Sequence, residues 1–125
     1  MRISRLAGAF AALALAAATL PVAAQVPKQP PSGRMYGYVL VDGAAPASGT
    51  VITTIAGSTA CGQNDFNPDL YGGRYFVDLD SSQADCSQAG NQIVFLVNGC
   101  PADATGTVPS FNGAQRVDIN APSIC

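Results

Sequence analysis

From residue 34 onward, apolar and polar residues alternate in short runs separated by turn residues. Arg34–Val41 (RMYGYVLV) is the first such run, and it ends at Asp42-Gly43, a dipeptide suited to a tight turn. Gly49–Ala56 (GTVITTIA) is rich in β-branched residues and is bounded by Gly57. Gly73–Asp80 (GRYFVDLD) places Tyr75, Val77 and Leu79 on one face and Arg74, Phe76, Asp78 and Asp80 on the other. Gln92–Asn98 (QIVFLVN) is apolar at both parities, which predicts a central strand covered on both faces and closed by Asn98-Gly99. Thr105–Val108 is a weaker strand ahead of Pro109. Gln115–Asn120 (QRVDIN) follows the turn signal Asn112-Gly113 and turns Val117 and Ile119 inward.

No segment after residue 33 carries a helical period, so an α/β fold has no crossover helices to build with. Short strands at roughly ten-residue spacing predict an all-β fold, an antiparallel β-sandwich of about seven strands with Ig-like architecture. The domain is expected to span 34–125.

The N-terminal quarter reads differently. Arg2 and Arg5 precede an Ala/Leu stretch from Leu6 to Leu20, and Pro21-Val22-Ala23-Ala24 puts small residues before Gln25. A basic start, an apolar run of about 15 residues and an A-x-A-like site define a secretory signal over 1–24. The apolar run falls short of the roughly 20 residues that a spanning helix needs. Its arginines are not adjacent and no Cys follows the cut, which argues against twin-arginine export and a lipid anchor. Residues 25–33 (QVPKQPPSG), with three prolines, form a flexible leader. The mature protein is expected in the periplasm or outside the cell, with no membrane span after cleavage.

Composition narrows the chemistry. Six basic and eight acidic residues give −2, and removing Arg2 and Arg5 leaves four against eight, or −4. That balance argues against a nucleic-acid partner, which needs a basic footprint. The absence of His excludes histidine triads and His-ligated metals. Cys61, Cys86, Cys100 and Cys125 all lie after the signal, and an even count in a small exported domain reads as two disulfides. None forms C-x-x-C, so no redox or zinc motif is signalled. Of the three connectivities, Cys61–Cys86 with Cys100–Cys125 is favoured, because each closes a loop of about 25 residues between neighbouring elements.

The strings GYVLVDGAAPASGTVITTIAGSTACG, GGRYFVDLD, CSQAGNQIVFLVNG and FNGAQRVDIN together resemble secreted prealbumin-like sandwich domains, often grouped with carboxypeptidase regulatory-like domains. The likeness runs over roughly residues 36–120. It implies a β-sandwich and an accessory or binding module in place of a catalyst, and it carries over no catalytic residue.

The loop Asn64–Gly73 (NDFNPDLYGG) is the most unusual stretch. Asp65, Asn67 and Asp69 alternate like calcium ligands, but Leu70 stands where the glycine belongs and Phe76 where the final Glu belongs, so no metal site is expected. Phe66, Asp69, Tyr71 and Phe76 are the candidate ligand-binding residues, rings supplying area and polar groups direction. Asp78, Asp80 and Asp85 form a second acidic group. An enzyme using that group is the weakest reading, since Ser81, Ser82 and Ser87 have no nearby base and the one lysine beyond the signal, Lys28, lies in the leader. No cofactor is expected. The sequence is read as a non-catalytic binding or structural module on exported or cell-surface material, with a protein or glycan ligand. Self-assembly into a fibre or coat, through the Pro-rich arm or an exposed strand edge, is the alternative.

Overall fold

The computed structural model describes residues 31–110 and 112–125. The expected signal and all but the last residues of the leader lie outside the described residues.

The fold is an all-β sandwich of two four-stranded sheets, with strands β1 (Gly33–Val41), β2 (Val51–Ala56), β3 (Thr59–Asp65), β4 (Arg74–Leu79), β5 (Gln92–Val97), β6 (Cys100–Thr107), β7 (Ala114–Arg116) and β8 (Ile119–Ala121). One sheet runs β4-β1-β7, with β8 also on β1; the other runs β3-β2-β5-β6. Two hairpins build the second sheet. Asn98 (φ 49°) and Gly99 (φ 85°) both take the left-handed conformation that matches strand twist, closing β5 onto β6 with Val97 opposite Cys100. Gly57 (φ 62°) does the same between β2 and β3.

Alternate residues of both sheets fill the core: Met35, Val39, Tyr75, Val77, Leu79 and Ile119 from one, Ile52, Ala56, Ile93, Phe95 and Val97 from the other. Removing these side chains from water is the main driving force for closing the sheets. Tyr75 and Phe95 meet across the interior edge to face, with centroids 5.9 Å apart. Cys61–Cys86 and Cys100–Cys125 are both bonded, each spanning 25 residues of sequence, in the pairing expected from loop length.

Several elements differ from the sequence expectation. β3 and the full length of β6 are strands despite compositions (TACGQND, CPADATGT) poor in β-formers; each is zipped onto a strong neighbour by a tight turn. The expected loop therefore starts after Asp65. Cys86 is carried by a one-turn helix, α1 (Ala84–Ser87), where no helical period was visible. β5 is central, but only Ile93, Phe95 and Val97 are buried, and Val94 and Leu96 on its outer side are half-buried. The expected strand Gln115–Asn120 is broken at Val117-Asp118, and both pieces run parallel to β1, so the sandwich is not wholly antiparallel.

The break has a local cause. A Cβ on Gly37 would lie within 3 Å of the Val117 carbonyl carbon and an Asp118 carboxylate oxygen. Glycine at 37 thus lets Val117 turn its carbonyl inward, where the Tyr75 hydroxyl donates to it at 2.6 Å. The Tyr38 N–H, deprived of a main-chain acceptor, donates to Asp118 Oδ1 at 3.0 Å. Side-chain and main-chain hydrogen bonds also bridge the seams between the sheets. Thr107 N–H donates to Gln115 Oε1 (2.8 Å) and Asn120 N–H to Asp103 Oδ1 (2.9 Å) on one side. On the other, Asp80 N–H donates to the Cys61 carbonyl (2.9 Å) and Asn64 Nδ2 to the Phe76 carbonyl (3.0 Å).

Candidate functional site

Because successive side chains of a strand point to opposite faces, burying Met35 and Val39 of β1 turns Arg34, Tyr36, Tyr38 and Leu40 outward. Strand register then sets their neighbours. Asp78, Arg34 and Ala114 form one cross-strand row, and Phe76, Tyr36 and Arg116 form the next. Arg74 lies beside Tyr38 in the third. Tyr71, from a single 3-10 turn that leads into β4, leans its ring on Phe76 edge to face at 4.6 Å.

The rings and cations are interleaved. The Arg34 guanidinium lies 4.5 Å from the Phe76 ring centre; those of Arg74 and Arg116 flank Tyr38 at 5.9 and 5.5 Å. Arg34, Arg74 and Arg116 are all the basic residues among the described ones. A chain with net negative charge thus gathers every described cation on one sheet face. Asp78 and Asp118 share that face, paired with Arg34 and Arg116.

Electrostatics divides the three arginines. Arg34 donates from Nε and Nη2 to both carboxylate oxygens of Asp78, at 2.6 and 3.2 Å. That bond raises the guanidinium above its ordinary range, against a lesser loss from burial. Arg116 holds Asp118 in the same two-point manner at 3.2 and 3.1 Å, and is raised for the same reason. The Asp118 carboxyl is lowered, first by Arg116 and then by the Tyr38 N–H. Arg74 differs: its Nε donates to the Tyr71 carbonyl at 3.3 Å, and no carboxylate pairs with it among the described residues.

The candidates read from sequence separate in space. Tyr71 and Phe76 belong to this face, with Tyr71 58% exposed. Asp69 is exposed on the loop beside it, its N–H held by Asn67 Oδ1 in a local turn. Phe66 does not belong: it is only 4% exposed and sits in the core, because its N–H and carbonyl bond Thr50 and Gly49 and draw it inward. Arg34, Tyr36, Tyr38, Arg74 and Arg116 were absent from the expected set. The outward parity of RMYGYVLV carries Arg34, Tyr36 and Tyr38, so a signal was present for those three.

The acidic group disperses. Asp78 pairs with Arg34, Asp80 Oδ1 accepts from the Ser82 hydroxyl and N–H, and Asp85 Oδ2 accepts from the Thr59 hydroxyl. No cluster of three or more His, Cys, Asp or Glu able to hold a metal occurs among the described residues, and no helix there is long and apolar enough to cross a membrane. Past Phe76 and Asp78 the surface falls into a cleft of about 580 Å³ along the β3–β4 seam, lined also by Gln63 and Asn64. Comparison with known proteins finds no family model, no curated protein and no solved structure that matches this chain.

Proposed function

We propose that this protein is an exported, non-catalytic binding module whose binding surface is the outer face of β4-β1-β7. One observation carries the reading: all three described arginines lie on that face, interleaved with Tyr36, Tyr38, Tyr71 and Phe76. Rings of Tyr and Phe supply contact area with little side-chain entropy to lose, and Arg supplies directed hydrogen bonds. Tyr38 is 45% exposed and Leu40 38% exposed. Exposed apolar surface gathered beside cations marks an interaction site more than it marks solvent-facing sheet.

Export is supported by the signal pattern of residues 1–24 and by two disulfides, which persist in oxidising compartments. A binding role over catalysis is supported by the separate partners of Asp78, Asp80 and Asp85. The resemblance to prealbumin-like modules points the same way. The test is co-sedimentation of the mature protein with insoluble cell-wall and extracellular-polymer fractions. The double variant Tyr38→Ala/Arg74→Ala is expected to stay in the supernatant while melting like the parent. Equal sedimentation of the two proteins would refute the proposal.

A further inference from the structure

We infer that the ligand of this face is an acidic polysaccharide, with a sugar ring laid on Tyr38 and its carboxylate held by Arg74; this rests on the binding reading above. Arg34 and Arg116 already spend their planar forks on Asp78 and Asp118. Among the described residues Arg74 is the remaining cation, anchored through Nε to the Tyr71 carbonyl, which leaves its terminal nitrogens for an outside group. A guanidinium oriented in this way is preorganised for two-point recognition of a carboxylate.

The sugar follows from what surrounds that cation. Tyr38 lies between Arg74 and Arg116 and is 45% exposed. A uronic acid residue has an apolar C–H face to cover such a ring and a carboxylate at its rim to reach the neighbouring arginine. An acidic peptide is the less suitable occupant. Extended peptides gain their affinity chiefly by adding a strand to a free edge. Here β1 is flanked on both sides, and β4 is bridged to β3 at Asp80–Cys61 and Asn64–Phe76. The face therefore offers rings and charge with little free main chain.

The experiment is calorimetric titration of the mature protein with three probes of matched length: oligogalacturonate, its methyl ester and oligoglutamate. Oligogalacturonate is expected to bind, and both the ester and oligoglutamate to bind at least tenfold more weakly. Arg74→Ala should weaken oligogalacturonate binding at least tenfold, with Arg74→Lys intermediate, because ammonium keeps the charge and loses the fork. Melting curves of both variants should match the parent. Equal affinity for acid and ester, equal affinity for oligoglutamate, an unaffected Arg74→Ala variant, or no binding of any probe would each overturn the inference. Loss of co-sedimentation on Tyr38→Ala alone, together with one of those results, would leave the binding face standing and remove only its acidic-glycan specificity.

Discussion

The hydroxyl of Tyr75 donates to the carbonyl of Val117 at 2.6 Å, through space that Gly37 leaves open on the inner side of β1. One contact thereby ties β4 to the β7–β8 segment underneath the strand that separates them. It also decides the outer face. With the Val117 carbonyl turned in, Asp118 turns out, takes the Tyr38 N–H and pairs with Arg116. The fold and the proposed binding face thus share a common support.

Tyr75→Phe should therefore destabilise the domain by about 1–2 kcal/mol, the cost of leaving a part-buried carbonyl without its donor. Gly37→Ala should cost at least as much, about 2 kcal/mol or more, since backbone must move to admit the methyl. Chemical denaturation checks both values. Gly37→Ala should also shift the amide resonances of Tyr38 and Asp118, which Tyr75→Phe should disturb less.

Burial, with Asp118 adding a smaller effect, raises the Tyr75 phenol well above its ordinary value. A group whose folded pKa is raised contributes stability below its unfolded pKa and loses it as pH climbs toward the folded one. The domain should accordingly lose stability as pH rises above about 10. In Tyr75→Phe this loss should be reduced. At the acid end the signs reverse. Asp118 is lowered by Arg116, and Asp42 by the Ser123 hydroxyl and N–H, so their contributions are present above about pH 4 and fade below it. Melting temperatures across pH 2–11 test both limbs, with Asp118→Asn flattening the acid one.

The two disulfides close equal spans of chain, so loop entropy assigns them similar contributions, about 3.5 kcal/mol each. Their surroundings differ. Cys61 and Cys86 are both buried, whereas Cys125 is exposed at the chain end. Mild reductant should open Cys100–Cys125 first, and peptide mapping with a thiol label will show the order. Cys61→Ala/Cys86→Ala should destabilise more than Cys100→Ala/Cys125→Ala, because it also leaves space in the core.

Strands β1, β2, β4 and β5 were legible because their alternation or β-branching is strong in sequence alone. β3 was not, since TACGQND has no such pattern; its strand form comes from the Gly57 turn and from pairing with β2. The break at Val117-Asp118 depends on a close approach to Gly37, eighty residues away, which no local pattern encodes. The site shows the same division. Tyr71 and Phe76 stood out as aromatics among polar residues, but so did Phe66, whose pairing with residues 49 and 50 takes it inside. Arg116 joins the face only through parallel pairing of β7 with β1, a tertiary choice that spacing does not announce.

The outer face of β4-β1-β7 is proposed to bind surface material. The most direct test compares Tyr38→Ala/Arg74→Ala with Thr53→Ala/Val94→Ala, a pair on the outer side of the opposite sheet. The measurement is the fraction of each protein retained by insoluble cell-wall and extracellular-polymer fractions. Retention is expected to fall at least tenfold for the first variant and to stay at the parent level for the second. Undiminished retention of the first variant, or equal loss in both, would contradict a binding role for this face.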